Sequence, residues 1–173
     1  MSDEPQFVIV MGVSGSGKTT VAKSLAHHLG WSFAEGDDFH PEANVAKMAR
    51  GVALSDEDRW PWLRLIRDWM DGHRKADTGA VITCSALKRS YRDLLSQGRP
   101  GVRFCEIDVP GEELQRRLAT REGHYMPASL LPSQLATLEP LQDDEPGVRV
   151  DAGGSVDDVV AGALTRLGLA SDG

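Results

Sequence analysis

The sequence predicts an α/β fold, a parallel sheet of about five strands flanked by helices, and two observations carry this expectation. The first is Gly12-Val13-Ser14-Gly15-Ser16-Gly17-Lys18-Thr19, which satisfies G-x-x-x-x-G-K-[ST] at every fixed position. The apolar run Phe7–Met11 precedes it, and Val21, Ala22, Leu25, Ala26 and Leu29 follow at helical spacing, so the loop joins a strand to a helix. The second is the recurrence of short apolar runs between amphipathic segments along the rest of the chain. The residue types of the loop follow from its chemistry. Glycines let successive N–H groups turn toward phosphate oxygens, and the helix N-terminus adds a favourable dipole. Lys18 is placed to reach the β- and γ-phosphates, and the Thr19 hydroxyl to ligate Mg²⁺. Gly12 through Thr20 is therefore expected to hold a nucleoside triphosphate.

The first helix is predicted over Lys18–Leu29 and stops at Gly30, a natural C-terminal cap. Trp31–Ala34 reads as the second strand, followed by Glu35-Gly36-Asp37-Asp38-Phe39-His40-Pro41. Ligands of open α/β sheets gather beyond the carboxyl ends of strands. Asp37 and Asp38 are thus candidates for acid–base or Mg²⁺ work, and equally for solvating the loop or capping the next helix. That helix spans Glu42 to about Arg50. Ser55 and Asp58 form a capping-box pattern ahead of a longer helix, with Pro61 near its start and Trp62, Leu65, Ile66 and Trp69 as its expected buried stripe. Arg59 opposes the dipole of that helix N-terminus. It reads either as a salt-bridge partner of Asp56 or Glu57 or as a ligand for an anionic substrate.

Ala80–Cys84 is nearly all apolar and is expected to be a central parallel strand. It runs into Ser85–Arg92, where Lys88, Arg89 and Arg92 form either a solvated basic face or part of an anion site. Val102–Val109 reads as the fourth strand, leading to a helix with Leu114 and Leu118 inward and Arg117 and Arg121 on one face. Residues 122–132, with Gly123 and Pro127, read as a lid hinged on those arginines; surface arginines on an amphipathic helix are the alternative. A short helix over Pro132–Leu138 and a fifth strand at Val148–Val150 come next. After Asp151–Gly154, a last helix is capped by Ser155 and buries Val159, Val160, Ala163, Leu164 and Leu167.

The 173 residues, 40% hydrophobic and 26% charged, suit one soluble domain over residues 1–173. A net charge of −7 argues against a general nucleic-acid binder. No run approaches the ~20 apolar residues of a membrane span. Met1–Glu4 is acidic and no signal peptide is expected. Cys84 and Cys105 lie in apolar runs and read as buried free thiols of a cytoplasmic protein. A guanine-reading N-K-x-D segment is missing, and the third strand ends at Cys84-Ser85 without the acid of a mechanical ATPase. Asp108 is the nearest substitute and reads as a helix cap. Mg²⁺ is then expected on Thr19, phosphate oxygens and water, with Asp37 as an outer-shell candidate. This pattern favours phosphoryl transfer to a small acceptor; a nucleotide-binding regulatory module is the rival from another class.

Four further segments are specific: Gly36–Met48 (G-D-x-x-H-P-x-x-N-x-x-K-M), Leu54–Leu63 (L-x-D-x-D-R-x-P-W-L), Cys84–Leu95 (C-S-A-L-K-x-x-Y-R-D-x-L) and Arg121–His124 (R-x-G-H). With Met11–Thr19 and Leu135–Glu139 they make the chain closely resemble bacterial gluconokinases from about Val8 to Leu167. The resemblance implies a nucleoside-monophosphate-kinase-like P-loop fold, ATP and Mg²⁺ as cofactors, D-gluconate phosphorylated at its 6-hydroxyl, and often a homodimer. Catalytic roles fall on Lys18, Asp37 and Arg121, nucleotide contacts on Gly12–Thr20, Arg117 and Arg121, and acceptor contacts on Asp37, His40, Arg59, Lys88, Arg92 and His124. Asp38 matches the family less well than Asp37, and Tyr125-Met126-Pro127 departs from an aromatic-rich lid. Gluconate is a polyhydroxylated monoanion, so a cationic grip on its carboxylate is the physical requirement, and arginine suits it.

Overall fold

The structure is a computed structural model and describes residues 6–12, 17–99, 101–108, 137–151 and 155–169. Its strands are β1 (Phe7–Met11), β2 (Ser32–Glu35), β3 (Ala80–Thr83), β4 (Val102–Asp108) and β5 (Gly147–Asp151). They form one parallel sheet in the order β2-β3-β1-β4-β5, in line with the expectation. β1 lies between two neighbours, with Phe7 opposite Ala80 on one side and Val102 on the other. All five of its residues are buried, which is why it carries no polar side chain.

The helices are α1 (Lys18–Leu29), α2 (Glu42–Ala49), α3 (Asp56–Lys75), α4 (Arg89–Ser96) and α5 (Val156–Leu167). Strand alternation sends Val8 and Val10 to one face of the sheet and Phe7, Ile9 and Met11 to the other. The first pair packs with Val21, Leu25, Val160 and Ala163 of α1 and α5. The second set packs with Trp62, Leu63, Ile66 and Tyr91 of α3 and α4. α1 ends at Gly30, whose φ of 68° is the left-handed conformation expected of that cap. Ser55 and Asp58 form the predicted capping box, each side chain bonded to the other's backbone N–H.

One core expectation differs. Trp62, Leu63, Ile66 and Met70 form the buried stripe of α3, whereas Leu65 is 45% exposed. At about 100° per residue Leu65 sits roughly a third of a turn away from the middle of that stripe, and Trp69 sits on its border. Cys84 and Cys105 are free and buried as expected, and burial pushes both thiols up to about 12. No described helix is long and apolar enough to cross a membrane.

A 3₁₀ turn, Gly36–Phe39, follows β2 and carries Asp37 beyond the end of the sheet. Gly36 is held against β3: its N–H donates to Thr83 Oγ1 at 3.0 Å, and its carbonyl accepts from Trp62 Nε1 at 2.7 Å. A Cβ at this position would lie 1.8 Å from the Thr83 carbonyl oxygen. Gly36→Ala must therefore move backbone, at a cost of at least the ~1–3 kcal/mol typical of core overpacking. Its thermal midpoint and its turnover are expected to fall together; an unchanged midpoint would show that the turn has slack.

Candidate active site

Parallel strands bring the ends of β1, β2 and β3 to one edge of the sheet, where the candidate residues gather. Lys18 and Thr19 open α1, and Gly17, at φ 91°, turns the chain into it. Lys18 Nζ donates to the Gly12 carbonyl at 3.1 Å, so the ammonium turns back toward the end of β1. Val13–Ser16 lie outside the described residues. Thr20 is exposed.

Thr19 Oγ1 lies 2.8 and 2.9 Å from the two carboxylate oxygens of Glu35 and donates to them. Thr83 Oγ1 donates to the same carboxylate at 2.5 Å. Glu35 thus bridges the phosphate loop and β3, a role absent from the sequence reading. A signal was present: an acid as the last residue of the strand after the phosphate loop. The adjacent aspartates, Asp37 and Asp38, are the more conspicuous acids of that segment. Thr19 and Glu35 offer hard oxygen ligands that fit Mg²⁺, which favours one or two protein oxygens and fills its shell with phosphates and water. No cluster of three or more His, Cys, Asp or Glu gathers among the described residues.

Asp37 stands on the 3₁₀ turn with its side chain 37% exposed, and its Oδ1 is 3.9 Å from His40 Nε2. The His40 ring is buried and stacked on Trp62, with centroids 4.1 Å apart and planes 16° apart. Burial first, and the positive charge of Arg59 second, pull its pKa down to about 4. His40 is therefore neutral near pH 7, and its approach to Asp37 is not an ion pair.

Arg59 and Lys88 come together from α3 and from the turn before α4. Arg59 Nη1 donates to the Tyr91 hydroxyl at 2.7 Å, and that hydroxyl donates to Asp56 Oδ1 at 2.5 Å. Lys88 Nζ donates to both Asp56 oxygens, at 3.0 and 3.3 Å. Both cations also lie over the Tyr91 ring, 5.3 and 5.7 Å from its centroid. The Tyr91 hydroxyl, then the Lys88 ammonium, hold the Asp56 carboxyl below its ordinary range. Arg59 reaches Asp56 through Tyr91, which differs from the direct salt bridge that the sequence left open.

Arg92 does not match the expectation of an acceptor ligand. Its side chain is 1% exposed, with Nε and Nη2 donating to Glu145 at 2.6 and 3.0 Å and Nη1 to the Ala86 carbonyl at 2.8 Å. Arg92 lies on the face of α4 that also buries Tyr91 and Leu95, so it serves the core. The bond to Ala86 helps hold that residue at φ 44°, a left-handed conformation costly for alanine. Arg89 turns outward to Asp144, at 2.7 and 2.8 Å. Of the three cations after β3, Lys88 alone joins the Asp56 cluster. Asp108 accepts a bond from Arg149 at 3.3 Å, while the segment that it is expected to cap lies outside the described residues. Arg117, Arg121, His124 and the lid over 122–132 also lie outside them, as does Ala152–Gly154.

A family described as "AAA domain" matches residues 7–141. A gluconokinase of Gluconobacter oxydans (strain 621H) is 56% identical over 172 residues, covering 99% of this chain and 96% of that protein. The chain belongs to the gluconokinase family. Two solved structures accompany that likeness. A gluconokinase from Sinorhizobium meliloti 1021 is 42% identical with a TM-score of 0.85, covering 95% of this chain and 92% of that one. An unliganded sugar kinase from Janibacter sp. HTCC2649 is 52% identical with a TM-score of 0.91, covering 96% of each chain. The family motifs acquire physical roles from the geometry: Asp56, Asp58 and Arg59 open α3, Lys88 and Tyr91 meet Asp56 and Arg59 from the facing segment, and Lys47 of α2 meets Asp58.

Arg92→Ala leaves the Glu145 carboxylate buried without its counter-charge. The expected loss is about 3–5 kcal/mol of folding stability. Denaturant titration checks it, and an unchanged midpoint would return Arg92 to the acceptor site.

Proposed function

We propose that this chain transfers the γ-phosphoryl group of ATP to the 6-hydroxyl of D-gluconate, giving 6-phospho-D-gluconate and ADP. Family membership supports the reaction. The observation that carries the acceptor reading is the Arg59–Tyr91–Asp56–Lys88 cluster at the same edge of the sheet as the phosphate loop. It offers two cations, oriented in advance, to a carboxylate. The hydroxyl at the far end of the acceptor goes to Asp37, which accepts its proton's hydrogen bond and directs the oxygen toward the phosphorus.

Phosphoryl transfer asks a protein mainly for positioning and charge stabilisation. Lys18 supplies positive charge beside the β- and γ-phosphates. Mg²⁺, when bound at Thr19 and Glu35, supplies further charge to the phosphate oxygens. In this reading Arg121 contributes to the transferring group, Arg117 lies against the adenine with the 151–154 loop on its other face, and His124 adds a donor to the acceptor. His40 lies beside the acceptor hydroxyl. The reading extends to one kinase domain with a lid over 122–132. It also places a homodimer in the cytoplasm, on the strength of the family resemblance and of the two free, buried thiols. Flux into gluconate breakdown by the pentose phosphate or Entner–Doudoroff route follows from the product.

Coupled ADP release tests the reading, with Mg-ATP and a panel of D-gluconate, other aldonic acids, shikimate and nucleoside monophosphates. Saturable stimulation by D-gluconate is expected; silence across the panel with ATP binding intact would favour a regulatory module. In the same assay Arg59→Ala and Lys88→Ala are each expected to raise the gluconate KM about tenfold or more and to leave the ATP KM within about twofold. A parallel rise of both KM values in each variant would dissolve the carboxylate grip.

A further inference from the structure

Asn44 is a polar residue buried to 3% exposure on α2, on the side of that helix facing α3. Its amide nitrogen has two bonding partners. One is the backbone carbonyl of Asp58, at 2.9 Å; the other is His40 Nδ1, at 3.2 Å. An amide nitrogen only donates, and it has two hydrogens, one for each partner. His40 Nδ1 must then be the accepting nitrogen, and the proton of the neutral ring sits on Nε2. That nitrogen is the one facing Asp37 at 3.9 Å.

We infer that Asn44 is a positioning residue: by holding His40 in the Nε2–H form, it aims an N–H at the space beside the Asp37 carboxylate. The inference rests on the functional reading for what fills that space. A separation of 3.9 Å exceeds a direct hydrogen bond, and one oxygen at about 2.8 Å from each atom bridges it. An acceptor hydroxyl there takes a bond from His40 into one lone pair and points its own proton at Asp37. Its second lone pair is left for the phosphorus. The opposite tautomer presents a bare nitrogen lone pair, which competes with Asp37 for the hydroxyl proton.

The surroundings hold this arrangement. Trp62 stacks on the imidazole and bonds the Gly36 carbonyl, fixing the turn and the ring together. Lys47, one turn beyond Asn44, donates to the Asp58 carboxylate at 2.7 Å and pins α2 to the start of α3. Among the described residues, the charged groups around the ring are Asp37 on its turn and Arg59 on α3, and the positive charge of Arg59 opposes a second ring proton. Asn44 thus links the Asp37 turn to the helix whose first residues carry Asp56 and Arg59.

The test is nitrogen-15 correlation spectroscopy of the histidine rings in the full chain, paired with steady-state kinetics. The unaltered protein is expected to show His40 protonated at Nε2 and bare at Nδ1 without any substrate; a proton on Nδ1 overturns the inference whatever the variants do. Asn44→Asp replaces the donor to Nδ1 with an acceptor and is expected to move a proton to Nδ1. Its kcat should fall about tenfold or more, with the ATP KM within about twofold. A shifted proton with full kcat overturns the inference, as does a tenfold loss with the Nε2–H form retained. Should Asn44→Asp fold poorly, Asn44→Ala serves, with mixed ring forms and an intermediate kcat expected; a single Nε2–H form at reduced kcat counts against. The ring spectra need no acceptor. An Nε2–H form alongside silence in the acceptor panel would therefore overturn the functional reading and leave the tautomer assignment standing.

Discussion

The close approach of Gly36 to the end of β3 is the constraint on which the site depends. There is no room for a side chain between Gly36 and the Thr83 carbonyl, and hydrogen bonds to Thr83 and Trp62 secure the turn from both sides. Pressing the chain there divides the work of its neighbours. Glu35, before the glycine, points to Thr19 and Thr83; Asp37, after it, stands out beyond the sheet. In the proposed function, an acid for the metal side and an acid for the acceptor side thus come from positions two apart. A looser turn would let them exchange places or splay.

The Arg59–Lys88 cluster, the acceptor side of the proposal, rests on a different physical device. Two cations held near each other repel, and the protein offsets that repulsion with the Asp56 carboxylate and the Tyr91 hydroxyl between them. The groups stay partly exposed, so solvent screens the interaction and its contribution to folding is small. In the proposed function its value lies in orientation: both cations are in place before the acceptor's carboxylate arrives, which lowers the ordering cost of binding. The Arg92–Glu145 pair beneath it is the opposite case. It is dry, and burial alone would raise the Glu145 pKa, but the bond from Arg92 and the Gln142 N–H outweigh that and hold the carboxyl below its ordinary range. One α-helix thus carries an exterior arginine, Arg89, and an interior one, three residues apart.

Much of this was legible in the sequence. The five strands, the first and last helices, the Gly30 cap and the Ser55–Asp58 capping box follow from local patterns, and the structure has them within a residue or two. The helix expected after β4 and all but the end of the one over Pro132–Leu138 lie outside the described residues. The cations Arg59 and Lys88 were named, though not their meeting at Asp56 through Tyr91. That meeting is tertiary, between segments some thirty residues apart, and no local period encodes it. Arg92 was misread because a run of cations does not reveal which one turns inward; that depends on Glu145, which reaches it from the far side of β4 in the chain. Glu35 was overlooked since its partner hydroxyls, on α1 and β3, become neighbours only when the parallel sheet assembles. Leu65 was misplaced by the helical period itself, as the border of a stripe is set by what packs against it.

The central claim is directional: the anionic end of the acceptor lies at Arg59 and Lys88, and its reacting hydroxyl lies at Asp37. A crystal structure with a non-hydrolysable ATP analogue, Mg²⁺ and D-gluconate tests it most directly. The account predicts the gluconate carboxylate within hydrogen-bond distance of Arg59 or Lys88, and the 6-hydroxyl against Asp37 and in line with the γ-phosphorus. A carboxylate seated elsewhere, or an acceptor bound end for end, would contradict it.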